Sequence, residues 1–186
     1  MADWWKDLSE TRAEVWRQLV HGPGDTTAAA RTPVLATCGL AGFAEARVVV
    51  LRAADKARAQ LEIHTDSATA KVSELAEMPG ATLLIWDSGA RLQIRLRCHI
   101  TRAGMEQTKS AWDHVPPGAQ YVYGTDPAPG TPISANDAYR PGPDPARFVV
   151  MICDVAEIET LHLGPDRHWR ALFRRVDGWH GTWLAP

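Results

Sequence analysis

The sequence predicts a mainly antiparallel β protein, a closed or nearly closed barrel whose ends and edges are covered by helices. Two observations support this. Short runs rich in apolar and β-branched residues recur along the 186 residues, and short turns join most of them. An Asp-Gly pair at 177–178, set between two apolar runs, is typical of a β-hairpin. Strands of this number with short connections favour a barrel over a parallel α/β sheet.

Three helices are predicted between the strands. The first covers residues 3–20, where tryptophan, leucine and valine recur at helical spacing before the Gly-Pro-Gly run at 22–24. The second covers 67–78, with Ser67 as its N-cap. The third covers 105–115. The predicted strands cover 32–38, 44–52, 60–65, 81–86, 91–102, 148–163, 169–176 and 179–184.

Residues 116–145 differ from the rest of the chain. They hold eight of the 13 prolines and all three tyrosines. A long segment without regular structure is usually a functional loop or a linker, and the tyrosines favour an ordered loop lying on a surface. With this insert included, we expect one domain over residues 1–186.

The overall composition narrows the classes of function. A net charge of −2 argues against a nucleic-acid partner, because such proteins usually carry a basic face. No apolar run long enough to span a membrane is present, and the first residues resemble no signal peptide. A cytoplasmic protein without a membrane partner is therefore expected. The scattered cysteines and histidines lack metal-ligand spacing, so no metal site is predicted.

A candidate anion site lies where the third predicted strand runs into the second helix. A helix start offers unpaired N–H groups and a partial positive charge. Ser67 and Thr69 add hydroxyls, Lys71 adds a charge one turn later, and Arg47 on the preceding strand could bind the same phosphate in a bidentate manner. Spacing alone leaves the alternative open: a plain N-cap, a solvated lysine and a surface arginine.

A planar ring could lie beside this anion. Residues 48–51 would provide backbone groups and an apolar wall, and Gln93 offers both a donor and an acceptor on a later strand. The alternative is that Gln93 is simply an outward strand residue. No residue in the sequence stands out as a catalytic acid or base.

In this order, these residues resemble the pyridoxamine 5′-phosphate oxidase family of FMN-binding split β-barrels. The resemblance extends from about residue 30 to 186 and is carried by the run 47–52, by Thr65 with Lys71, by Gln93, and by the tail from Arg170. The Trp-rich first helix and the proline-rich insert are similar to a divergent bacterial branch of oxidase-related FMN-binding proteins.

The resemblance implies a homodimer that holds FMN at the subunit interface. Arg47 and Lys71 would bind the phosphate, Gln93 would bond the ring edge, and Arg170 would reach the flavin from the other subunit. Arg52 and His168 would contact a small-molecule substrate. The remaining residues of the implied cofactor site are Val48, Val49, Val50, Leu51, His64, Thr65 and Ser67.

Departures from the family pattern leave the substrate unidentified. Ala68 and Ala70 occupy the neighbourhood where the family carries a second basic residue, and Leu161 aligns with a family tryptophan near the flavin. Asp166 aligns with the arginine that binds the vitamin phosphate, and the insert replaces the substrate loop. The phosphate site is therefore expected to be one charge short, and FMN to bind more weakly.

The leading hypothesis is an FMN-dependent oxidoreductase that transfers a hydride to or from the flavin. A second hypothesis is a non-catalytic split-barrel protein that binds flavin or haem, with His64 or His162 as the axial ligand to test. A third is an authentic oxidase that forms pyridoxal phosphate from pyridoxamine phosphate. A deazaflavin in place of FMN also remains open.

Overall fold

The computed structural model describes residues 3–186. The helices are α1 (Leu8–His21), α2 (Ala70–Glu77), α3 (Met105–His114) and the short α4 (Pro117–Gln120). The strands are β1 (Val34–Cys38), β2 (Ala44–Val48), β3 (Leu51–Asp55), β4 (Gln60–Asp66), β5 (Gly80–Asp87), β6 (Leu92–Arg102), β7 (Phe148–Leu163), β8 (His168–Arg174) and β9 (Gly181–Leu184). None of the helices in the described range is long and apolar enough to cross a membrane.

All strands belong to one antiparallel sheet. Its main path runs β2-β1-β5-β6-β7-β4-β3, and β8 and β9 extend it from the far half of the long strand β7. The outermost strands of this path, β2 and β3, follow each other in the chain. Three Cα–Cα steps from Val48 to Leu51 span at most about 11 Å, so the sheet must curl until its two edges meet. The predicted barrel is confirmed, split between β2 and β3.

The predicted strand over 44–52 is wrong in one respect, because the chain changes its pairing partner in the middle of the run. Arg47 still pairs with Leu35 on β1, whereas Leu51 pairs with Ile63 on β4. At the break, the Val49 amide donates to the Pro33 carbonyl at 2.9 Å. Local β-propensity could not show this, because it is the hydrogen-bond partner and not the residue type that changes.

The start of α2 was also predicted too early. The helix begins at Ala70, with Thr69 at the N-cap position, and Ser67 lies in the preceding turn. Asp66 shapes that turn, because its side chain accepts the Ala68 amide at 2.8 Å and its carbonyl accepts the Thr69 amide at 3.1 Å. Asp and Asn side chains stabilise such turns in competition with a helix.

The first predicted helix is interrupted at Asp7. Trp4–Lys6 forms a single 3-10 turn, and Asp7 is extended and accepts the Glu10 amide at 3.0 Å as the N-cap of α1. From there α1 packs Val15 and Leu19, both fully buried, against the barrel. The C-terminal hairpin is confirmed, although β8 stops at Arg174 and a 3-10 turn leads into Gly178 at φ 64°.

The apolar interior has two parts. The main core fills the barrel with side chains from every strand except β2 and β9, among them fully buried leucines and isoleucines of β5 and β6. A smaller cluster lies under α3 and the insert, where Val115 and Tyr123 pack on Phe148 and Val150 of β7. Tyr123 is 4% exposed, so this tyrosine anchors the insert to the sheet.

Asp66, at the end of β4, contacts both Gly124 within the insert and Arg147, which follows it. Asp66 is buried, Arg147 Nε donates to its Oδ1 at 3.1 Å, and Arg147 Nη2 lies 2.8 Å from its Oδ2 in an ion pair. The Gly124 amide donates to the same carboxylate at 2.9 Å. The prediction that residues 116–145 form an ordered surface loop is consistent with these contacts, and Tyr121 and Tyr139 lie exposed on it.

Replacing Asp66 with alanine should destabilise the fold strongly. Arg147 would remain largely buried without its partner, and two amides would lose their acceptor. Breaking a buried pair in this way costs about 3 kcal/mol of unfolding free energy, which urea denaturation measures. Asp177→Ala removes an exposed carboxylate whose ion-pair distance is 3.9 Å and should change little. Equal losses in both variants would contradict the anchoring role.

Candidate functional site

Arg47 lies at the rim of the barrel, on the core face of β2 and beside α2. Its Nη2 donates to Glu74 Oε2 at 2.9 Å, and Thr37 Oγ1 donates to the same oxygen at 2.6 Å. Arg47 Nη1 also contacts Thr37 Oγ1. The Arg47 side chain is 23% exposed and that of Glu74 is 5% exposed. The guanidinium is therefore held in one orientation by a buried carboxylate.

Lys71 lies in the first turn of α2, close to Arg47. Its Nζ donates to Thr65 Oγ1 at 3.1 Å, and Thr65 Oγ1 lies 3.2 Å from Thr69 Oγ1. No carboxylate forms an ion pair with Lys71 within residues 3–186. Burial lowers the pKa of Lys71 below 10.5, and the nearby charge of Arg47 lowers it further. An anion bound beside Lys71 would favour the charged form of this lysine.

The structure thus brings three of the predicted phosphate residues together: Arg47, Thr65 and Lys71. Ser67 is not joined to them by a hydrogen bond in the described chain. Its amide donates to the Arg147 carbonyl at 2.7 Å, and Thr69 takes the place beside Thr65. Glu74 was missed. It lies three residues after Lys71, a spacing that places two side chains on one helix face.

A second group of predicted residues lies on the outer face of the sheet, which is turned away from the main core. Gln93 pairs with Leu161, and Leu161 pairs with Arg170, so the three lie in one row across β6, β7 and β8. Arg170 donates to Glu159 Oε1 at 2.7 Å, and Arg95 donates to Glu159 Oε2 at 2.6 Å. Arg170 therefore already has a carboxylate partner.

Arg47 and Gln93 lie on opposite faces of the sheet. Arg47 pairs with Leu35, which pairs with Leu83, and both leucines are fully buried. Gln93 pairs with Trp86, which is 49% exposed. Directly paired residues share one face of an antiparallel sheet. Within one chain, the predicted phosphate-binding residues around Arg47 and the predicted ring-binding residue Gln93 therefore do not form a common surface.

A third group lines a cavity of about 390 Å³ between β3, β4 and α3. Arg52 and His64, both predicted site residues, lie in its wall together with Glu62. His64 Nε2 lies 2.7 Å from Glu62 Oε1, and because an ionised carboxylate only accepts, the imidazole donates this bond. Glu62 was also missed; its signal was the alternation of Glu62 and His64 along β4, which places them on one face.

The other predicted residues are placed differently. Val48 is the last residue of β2 and is 63% exposed, whereas Leu51 is fully buried at the start of β3. Val49 and Val50 form the link between these strands. His168 lies exposed at the start of β8 and does not line the cavity that contains Arg52. The two predicted substrate residues are therefore not brought together within one chain.

Comparison with known proteins identifies a family model and solved structures that are similar to this chain. Residues 13–103 match the family model of the pyridoxamine 5′-phosphate oxidase, FMN-binding domain. No curated protein sequence matches the chain.

Among solved structures, an oxidase-related, FMN-binding protein from Nostoc punctiforme is 24% identical, with a TM-score of 0.75 over 100% of this chain and 99% of that chain. PhzG from Burkholderia lata, in complex with tetrahydrophenazine-1-carboxylic acid, is 20% identical, with a TM-score of 0.75 over 100% and 98%. General stress protein 26 from Bacillus anthracis is 12% identical, with a TM-score of 0.52 over 79% and 93%.

The matched segment contains Arg47, Arg52, Thr65, Lys71 and Gln93, so most of the site residues lie within it. The similarities to solved structures establish the fold over the whole length. Residues 13–103 are similar to the FMN-binding domain of the pyridoxamine 5′-phosphate oxidase family, and the chain as a whole shares the split-barrel fold of the Nostoc punctiforme protein.

Proposed function

We propose that this protein is an FMN-dependent oxidoreductase that acts on a small molecule as a homodimer. The observation that carries the proposal is that two cations meet at α2: Arg47 is bonded to Glu74 of this helix, and Lys71 lies in its first turn. The matching family segment covers both residues. When bound, FMN would supply the hydride transfer, and the protein would supply binding and orientation.

The phosphate of FMN is the group that best fits this pair. Lys71 has no carboxylate partner in the described chain and is partly buried, so its charge gains more from an anion than from water. Arg47 presents a fixed guanidinium, although Glu74 neutralises part of its charge. Ala68 and Ala70 add no positive charge, and Glu74 offsets part of the charge of Arg47. Both facts support the expectation that FMN binds here more weakly than it would at a site with three unpaired cations.

A second copy of the chain would complete the site. The ring-edge row Gln93–Leu161–Arg170 faces outward, away from Arg47, so one copy cannot offer both groups to one flavin. Because Gln93 and Arg170 share a row, the same partner copy would contribute both. Beside this row lies an apolar row in which Val48 pairs with Val34, and Val34 with Leu84. Covering it would remove apolar surface from water.

The haem alternative is less well supported. His64 is 9% exposed and bonded to Glu62. His162 is 6% exposed and stacks on Trp5 with ring centroids 4.5 Å apart. The Nδ1 atoms of both imidazoles are unbonded in the described chain but buried, so neither is open to a large planar ligand. The vitamin-phosphate oxidase alternative requires that the cavity lined by Arg52 and Glu62 accept a phosphate ester.

Replacing Lys71 with alanine should weaken FMN binding selectively. Loss of a charge-assisted bond to the phosphate lowers affinity about tenfold or more, whereas riboflavin, which lacks the phosphate, should bind as it does to the wild type. Titration with quenching of flavin fluorescence measures both. Lys56→Ala, at an exposed turn position, is the matched control. A parallel loss of riboflavin affinity would contradict a phosphate role.

FMN affinity should also fall at alkaline pH. Lys71 binds phosphate in its charged form, and burial together with Arg47 places its pKa below 10.5. Affinity is therefore complete below that lowered pKa and is lost as pH rises through it. The same titration repeated across pH measures this. Lys71→Arg should retain affinity to higher pH; an unchanged profile would assign the loss to another group, such as the flavin itself.

A charge placed on the outer face should separate the subunits. Trp86→Glu puts a carboxylate beside Gln93, and we expect sedimentation velocity to show a dimer for the wild type and a monomer for the variant. FMN affinity should fall with it. Val176→Glu changes a residue that is 88% exposed and serves as the control. A monomeric wild type that binds FMN would refute the shared site.

A further inference from the structure

We propose that the cavity between β3, β4 and α3 is the substrate pocket, and that it selects a carboxylate-bearing molecule with an N–H or O–H donor over a phosphate ester. The inference rests on the proposed function and deepens it by naming the chemical class of the substrate. It is carried by three features of the cavity: an arginine without a hydrogen-bond partner at its buried Nε, a carboxylate that accepts hydrogen bonds, and a wall that is apolar in part.

Arg52 reaches the cavity because of a β-bulge. Leu51 pairs with Ile63 and Ala53 pairs with Glu62, so Arg52 is the extra residue between them. Bulges of this kind redirect a side chain and are frequent beside active sites. Arg52 Nε is buried without a hydrogen-bond partner in the described chain. A buried guanidinium nitrogen in this state favours an acceptor from a ligand.

Glu62 is the second recognition group. His64 donates to its Oε1 at 2.7 Å, and Gln107 donates to its Oε2 at 3.3 Å. The bond from His64 is the largest cause that lowers the pKa of Glu62 below 4.5, so the carboxylate is charged at neutral pH. His64 itself is fixed by edge-to-face contact with Phe148, at a centroid distance of 4.9 Å. Glu62 thus remains a hydrogen-bond acceptor in the cavity wall.

Arg52 and Glu62 both remain available to a ligand. No ion pair joins Arg52 to Glu62 within residues 3–186, although both line the same cavity. One cation faces the ligand, and one carboxylate lies close by. A phosphate ester, with close to two negative charges, would meet a single arginine and the repulsion of Glu62. A carboxylate needs only the bidentate guanidinium, which leaves Glu62 to accept a donor group on the same ligand.

The remaining wall has a polar part, formed by Gln107, Ser110 and His114, and an apolar part. Ala111, Val115 and Pro116 line the side formed by α3 and the residues after it. A volume of about 390 Å³ lies within the range of small-molecule sites. The side chains here leave room for the body of a ring compound, and Arg52 is the one arginine among the residues that line the cavity.

Calorimetric titration of the FMN-saturated protein with three probes tests the selectivity. The probes are benzoate, 3-aminobenzoate and phenyl phosphate. We expect 3-aminobenzoate to bind most tightly and phenyl phosphate most weakly. Glu62→Gln should lower the affinity for 3-aminobenzoate about tenfold while it strengthens phenyl phosphate binding. Phenyl phosphate binding more tightly than benzoate in the wild type would overturn the proposal and favour a phosphorylated substrate.

Arg52→Met should abolish binding of all three probes, whereas Arg58→Met should leave them unchanged. Arg58 is a suitable control because its side chain is 76% exposed at the turn between β3 and β4. Unaltered benzoate binding in Arg52→Met would refute the role of this arginine.

FMN affinity, titrated separately in each variant, distinguishes the two proposals. If the wild type binds benzoate through Arg52 but does not bind FMN, the proposed pocket is supported and the proposed FMN-dependent function is refuted. A wild type that binds FMN but none of the probes does the reverse.

Discussion

Both candidate sites depend on one constraint, the two-residue link Val49-Val50 between strands that lie at opposite edges of the same sheet. The link is too short for the edges to stay apart, so the sheet curls into a split barrel. Arg47 lies on β2 at one edge of the sheet, and Arg52 lies in the bulge of β3 at the other edge. A single β-branched run therefore supplies one arginine to the rim beside α2 and another to the cavity beneath α3.

The charges of the two sites and of the outer face follow a common arrangement, in which each arginine lies near a glutamate. Arg47 is bonded to Glu74, and Arg170 shares Glu159 with Arg95. Arg52 differs, because Glu62 lies in the same cavity without pairing with it. The paired carboxylates fix the orientation of the guanidinium groups and reduce the net positive charge that faces a ligand.

Sequence reasoning identified the barrel, the helices and most of the strand bounds, because period-two alternation, glycine-proline stops and the Asp-Gly turn are local signals. Two of its errors are the missed break after Val48 and the early start predicted for α2. Both failures involve hydrogen bonds to distant or competing groups: Pro33 for the first, and Asp66 for the second. The partners Glu62 and Glu74 were missed for a related reason, because a glutamate on a strand or a helix reads as a solvated residue until its neighbours are known.

The sequence by itself determined most of the helices and strands and indicated candidate residues for a phosphorylated cofactor, since both depend on residue type and spacing along the chain. Only the tertiary structure decided which of those residues share a surface. Sheet register places Gln93 and Arg170 in one row on the outer face and Arg47 on the core face. A bulge turns Arg52 into the cavity with Glu62. Register and bulges arise from pairing between strands far apart in sequence, and no local pattern contains that information.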